Sequence, residues 1–107
     1  MKRIFFTKPL VEKIINGEAR VTFRTRRHFG EYEVCVGNWR KPSTVKTTGI
    51  VINVYESELV YVPNITDADV QEAGIPNKTV FLELMVKFYG KIPVTLWRNR
   101  FHVIKLP

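Results

Sequence analysis

The sequence predicts an α+β domain built on a partly closed sheet or small β-barrel of about six strands flanked by two to three helices. Three observations carry that prediction. Short, β-branched segments with alternating polarity recur along the chain; three other segments repeat their apolar residues at helical spacing between capping residues; and the two kinds do not alternate in the regular order that builds a parallel sheet. With 107 residues, 45% of them hydrophobic, one domain spanning 1–107 is expected, with a core that needs no disulfide or metal.

In chain order, Arg3 to Phe6 reads as a short strand. Thr7-Lys8-Pro9 then opens a helix in which Leu10, Val11, Ile14 and Ile15 share a face, and Gly17 ends it. Ala19 to Arg26 alternates as a strand, with Val21, Phe23 and Thr25 on one side and Arg20, Thr22, Arg24 and Arg26 on the other. Glu31 to Val36 is a further strand, and the stretch from Gly37 to Thr47 has the Gly, Asn, Pro and Ser of a long loop. Thr48 to Tyr55 and Glu58 to Val62 predict two more strands. Thr66 and Asp69 form the frame of a capping box for a short helix that stops at Gly74. Asn77 caps a second helix, with Val80, Phe81, Leu84, Met85 and Phe88 on its buried side and Gly90 at its end. Val94 to Leu106 supplies one or two closing strands.

Charge is placed unevenly. The chain carries 17 Lys and Arg against 10 Asp and Glu, a net +7. Residues 1 to 48 hold eleven of the cations and four of the acids, so the whole excess lies in the first half. Between Lys46 and Lys78 there are only acids, Glu56, Glu58, Asp67, Asp69 and Glu72. A basic face that meets a polyanion and an acidic face open to a protein partner are expected. Cys35 alone cannot form an internal disulfide, and with His28 and His102 as the only histidines no zinc ligand set exists. The apolar run behind Met1-Lys2-Arg3 stops at Phe6, short of a signal peptide, and no segment approaches a membrane span. A cytoplasmic protein without cofactor or metal is the expectation.

The stretch from Ile14 to Arg24, Ile-Ile-Asn-Gly-Glu-Ala-Arg-Val-Thr-Phe-Arg, resembles the signature of the ASCH domain, a branch of the PUA-like superfamily in which a helix ends in Gly-x-Lys-x-x-Thr-x-Arg. Gly17, Thr22 and Arg24 match it. Ile65 to Gly74, followed by a capped helix ending in Phe88-Tyr89-Gly90 and a last strand, is similar to the second half of the same family. The resemblance covers nearly the whole chain and implies a small β-barrel with a cleft over the glycine-bearing strand. It also implies a role in RNA binding or in acting on modified nucleosides. A hydrolase branch of the family removes acetyl groups from N4-acetylcytidine with a lysine, a threonine and a glutamate. Here those positions hold Ala19, Thr22 and Ala73, with Arg20 and Glu72 beside the two alanines.

The candidate RNA-binding residues are Gly17, Arg20, Thr22, Arg24, Arg26, Trp39, Arg40, Lys41 and Lys46. Side chains at alternate strand positions leave one face about 6.6 Å apart, so the arginine row either follows a phosphate backbone or forms the solvated outside of a barrel. Trp39-Arg40-Lys41 joins an indole to two cations in a loop, the means by which single-stranded nucleic acid is stacked and neutralised; a loop tryptophan can also lid the core. Lys46 extends that patch. Gly17 serves the helix end and lets a ligand approach the backbone. Arg98 and Arg100 read as a solvated turn and Cys35 as a small buried hydrophobe. The expected function is RNA binding, to single-stranded or structured RNA, in a basic cleft without catalysis. The alternative is an amidohydrolase or ribonuclease acting on modified nucleosides or RNA in the same cleft, with Thr22 as the catalytic residue.

Overall fold

Residues 1–107, described by a computed structural model, form five strands, three α-helices and two short 3-10 turns. The first strand, β1 (Lys2–Phe5), leads into α1 (Lys8–Ile15), with Thr7 as the N-cap and Pro9 in the first turn, where its missing N–H costs nothing. Gly17 takes a φ of +76° just beyond the helix, and β2 (Val21–Arg24) follows. Then come β3 (Gly30–Val36), β4 (Lys46–Tyr61), α2 (Asp67–Gln71), α3 (Lys78–Tyr89) and β5 (Thr95–Lys105). Both halves of the Thr66–Asp69 capping box form, Asn77 caps α3 through the Val80 N–H, and Gly90 closes α3 in the left-handed conformation.

The strand order is β1-β3-β4-β5-β2, with β1 parallel to β3 and the other pairs antiparallel. The expected closed barrel is not formed. Its two edges, β1 and β2, share no backbone hydrogen bond. They are instead linked by a side chain, the Arg24 guanidinium donating to the Phe5 carbonyl at 2.6 Å.

The sheet has five strands rather than about six because the two strands expected over Thr48–Tyr55 and Glu58–Val62 run together as one, β4, which ends at Tyr61 with Val62 opening a 3-10 turn. The polar residues Tyr55-Glu56-Ser57 do not turn the chain. They sit at a bulge between Val54 and Glu56, held across by the uninterrupted β5. One extra residue reverses the facing of everything beyond it. Val54 therefore points into a core with Ile4, Ile14, Ile52 and Phe101, under α1, while Val60 packs with Phe23, Val70, Phe81 and Leu96, under α2 and α3. Strand β5 reaches both cores by plain alternation from Leu96 to Phe101. Arg98-Asn99-Arg100 lies in the middle of this strand and not in a turn.

Candidate functional site

The gap between the sheet edges is a cavity of about 420 Å³ walled by β1, β2 and α3. Phe5, Phe6, Phe81, Phe88 and Tyr89 make most of its lining apolar, and Thr7, Lys8, Thr22 and Arg24 are the polar side chains among its walls. Arg24 is held rigidly: its Nε donates to Thr22 Oγ1 at 2.9 Å, its terminal nitrogen to Phe5 O, and its guanidinium lies 4.8 Å from the centre of the Phe6 ring. Desolvation by these walls lowers the Arg24 pKa, with the Tyr89 hydroxyl acting weakly the other way. Arginine starts so high that it stays charged. The slot thus pairs a mostly apolar enclosure with a fixed guanidinium whose remaining N–H groups can meet an acceptor.

The remaining sequence-predicted residues are distributed rather than aligned. Thr22 is buried and Arg24 faces inward, so the row of Arg20, Thr22, Arg24 and Arg26 is not a solvated face; β2 ends at Arg24 and Arg26 is exposed on the loop beyond. Gly17 and Arg20 line a second, wider cavity with Tyr55, Glu72, Arg100 and His102. Trp39, Arg40 and Lys41 are exposed on the loop that leaves the slot wall at Gly37, with the Arg40 guanidinium 5.2 Å from the Trp39 ring, and Lys46 is exposed where that loop enters β4. Trp39 is 65% exposed and does not lid the core. Asn38 and Thr44 hold the loop together: Asn38 N–H donates to Thr44 Oγ1, which donates to the Lys41 carbonyl at 2.7 Å.

Ion pairing sorts the cations. Arg98 binds Glu58 at 3.1 Å and Asp69 at 3.5 Å, and Arg100 binds Glu72 at 2.6 Å, a bond that raises the Arg100 pKa. In the first half only Arg3 and Lys13 have carboxylate partners; Lys2, Lys8, Arg20, Arg24, Arg26, Arg27, Arg40, Lys41 and Lys46 have none. Lys2, Lys8 and Arg27 are not among the sequence candidates. Lys2, on β1 beside β3, donates from its ammonium to the Phe29 carbonyl, and its charge, like those of Arg24 and Arg26, acts on His28. Nothing in the local sequence signals that meeting. No group of three His, Cys, Asp or Glu converges on a point where a metal could bind. Cys35 is fully buried, and burial raises its thiol pKa.

Ala19 and Ala73, the positions matched to the lysine and glutamate of the hydrolase branch, are paired directly across an antiparallel bridge, and both are buried. The neighbouring Glu72 carbonyl accepts from the Arg20 and Val21 N–H groups. The two helical halves of the resemblance therefore meet at one point, and that point carries two methyl groups.

No family model and no curated protein matches the chain by sequence. Solved structures do match it in three dimensions. A protein from Enterococcus faecalis V583 with the DUF984 family model superposes with a TM-score of 0.64 at 11% identity, covering 99% of this chain and 78% of the other. The ASCH domain from Lactobacillus crispatus JV V101 superposes with a TM-score of 0.64 at 15% identity, covering 90% of this chain and 70% of the other. The fold is ASCH-like. Within this ASCH-like fold Thr22 and Arg24 of the signature line the slot, while Gly17 serves the helix end nearby.

Proposed function

We propose that this ASCH-like domain binds RNA, single-stranded or structured, and that it does so in the slot between β1 and β2 without catalysing a reaction there. The observation that carries the reading is the set of cations free of carboxylate partners: Lys8 and Arg24 in the slot, Arg26, Arg40 and Lys41 on the loops that leave its walls, and Lys46 at the start of β4. A phosphate backbone is the polyanion whose spacing suits such a dispersed set, and a base suits the slot. The acidic stretch offers less to a protein partner, since Glu58, Asp69 and Glu72 are already bonded to Arg98 and Arg100. A single buried thiol suits the cytoplasm, where we place the protein. No helix is long and apolar enough to cross a membrane.

The test is fluorescence anisotropy with a labelled oligouridine and a labelled RNA hairpin. Arg40→Ala and Lys41→Ala should weaken binding, and Arg98→Ala should not, because Arg98 is bonded to carboxylates. Equal losses would move the site, and no binding to either RNA would end the reading. The same preparation should release no acetate from N4-acetylcytidine, because the methyl groups of Ala19 and Ala73 neither donate nor accept a proton; turnover abolished by Thr22→Ala would establish the hydrolase instead.

A further inference from the structure

One face of the sheet is left uncovered at the end remote from α1. Ser57, Leu59 and Tyr61 of β4 stand opposite Asn99, Trp97 and Thr95 of β5, and Ser57 donates to Asn99 at 2.6 Å, which fixes all six on the same side. The opposite side carries Val60 and Leu96 and is covered by α2 and α3. On the uncovered side Leu59 is 53% and Tyr61 51% exposed, and the Trp97 indole is partly so. The β2–β3 loop borders it: the Arg27 guanidinium lies 6.0 Å from both the Trp97 and the Phe29 ring centres, and Phe29 is 57% exposed.

We propose that this face is a base-stacking platform for single-stranded RNA, a second subsite distinct from the slot, with Trp97 and Tyr61 as its stacking surfaces and Arg27 as its phosphate contact. It rests on the RNA-binding reading above. Trp97 and Tyr61 are diagonal neighbours across the β4–β5 ladder, about 7–8 Å apart, close enough for one strand to lay successive bases on both. Asn99, wholly buried at the inner end of the same face, accepts from the Ser57 hydroxyl and the His28 N–H and so ties β4, β5 and the β2–β3 loop together beside the platform. Charge decides between a strand of RNA and a second copy of this chain. Arg27, and Arg26 beside it, have no carboxylate partner. Two such faces pressed together would oppose like charges, whereas a phosphate backbone neutralises them. Arg24 of β2 is paired directly with Trp97 of β5, so a strand leaving the platform toward β2 arrives at the slot.

A Trp39→Phe background leaves Trp97 as the sole indole. Titration with an oligouridine should quench its emission, and an abasic phosphodiester chain of the same length should bind without quenching. Tyr61→Ala and Trp97→Leu should each weaken the oligouridine by about 5- to 150-fold and leave the abasic chain unaffected. Retained binding of the abasic chain reports that the variant is folded, and Tyr61→Ala, on an exposed side chain, carries the test if Trp97→Leu fails to fold. Oligouridine binding that is weakened by Arg40→Ala but leaves Trp97 emission and the Tyr61→Ala affinity unchanged would overturn the platform and spare the RNA reading. Failure to bind either chain overturns both. A Trp97 emission change that follows protein concentration without RNA, together with a dimer in sedimentation, assigns the face to a second copy and overturns the proposal.

Discussion

Arg24 has two tasks that a solvated arginine would not have. It ties the open edge of β2 to β1 through the Phe5 carbonyl, and it presents its remaining donor capacity to the slot. A hydrogen bond from a charged donor contributes about 1.5–3 kcal/mol, so Arg24→Ala should lower stability by that order in urea denaturation, while the exposed Arg26→Ala should stay within about 0.5 kcal/mol. Equal losses would show that the two edges do not depend on the clasp. His28, two residues beyond Arg26, is the pH-sensitive neighbour. Burial lowers its pKa from the ordinary 6.5, and Arg24, Lys2 and Arg26 push the same way against the bond from its ring to the Arg26 carbonyl. The folded chain then binds fewer protons than the unfolded one between the lowered pKa and 6.5, so stability falls as pH drops through 6.5 and levels off below the lowered value. His28→Gln should flatten that part of the stability profile; an unchanged profile would remove His28 from the account.

The elements differ in how far the sequence reveals them, for reasons specific to each. The helix ends are legible because capping is local: Thr7, Thr66 and Asn77 start helices where expected, and Gly90 stops one. The break at Tyr55-Glu56-Ser57 reads as a turn because a bulge and a turn both interrupt alternation, and only the continuous partner strand distinguishes them. The loop from Gly37 to Val45 is legible as a loop but not as a rigid one. Gly37 has a φ of +104°, and a Cβ there would overlap the Thr44 carbonyl. Gly37→Ala should therefore displace the loop and weaken RNA binding and stability together, whereas Trp39→Ala should cost roughly 1–3 kcal/mol of affinity with little change in melting temperature. Thermal denaturation and anisotropy on the same two variants check this, and a stability loss in Trp39→Ala alone would make the indole a structural lid.

Across the whole molecule the charge separation seen along the chain persists in space, but in altered form. Glu58, Asp69 and Glu72 of the acidic stretch are tied up by Arg98 and Arg100, and nine of the eleven cations of the first half have no carboxylate partner. Release of counterions from single-stranded RNA follows a slope of roughly −0.7 per phosphate neutralised. With about 3–5 of the free cations engaged, the log-log plot of affinity against salt should fall with a slope of about −2 to −3.5. A flat plot would mean that the cations are not the contacts.

Properties that depend on neighbours in the chain are legible in the sequence alone: the helix caps, the buried thiol, the charge asymmetry and the ASCH-like order of parts around Gly17, Thr22 and Arg24. Properties that depend on residues far apart are not. Whether Arg24 points outward or into the slot depends on β1, nineteen residues upstream, supplying the Phe5 carbonyl. Whether Asn99 is a turn residue or a buried brace depends on Ser57 and His28 meeting it from two other segments. That Lys2, Arg24 and Arg26 all act on His28 likewise depends on β1 and the β2–β3 segment being brought together by the folded sheet. Alternation along a strand specifies two faces, but which of them is buried is decided by what packs against it, and that is a property of the folded chain.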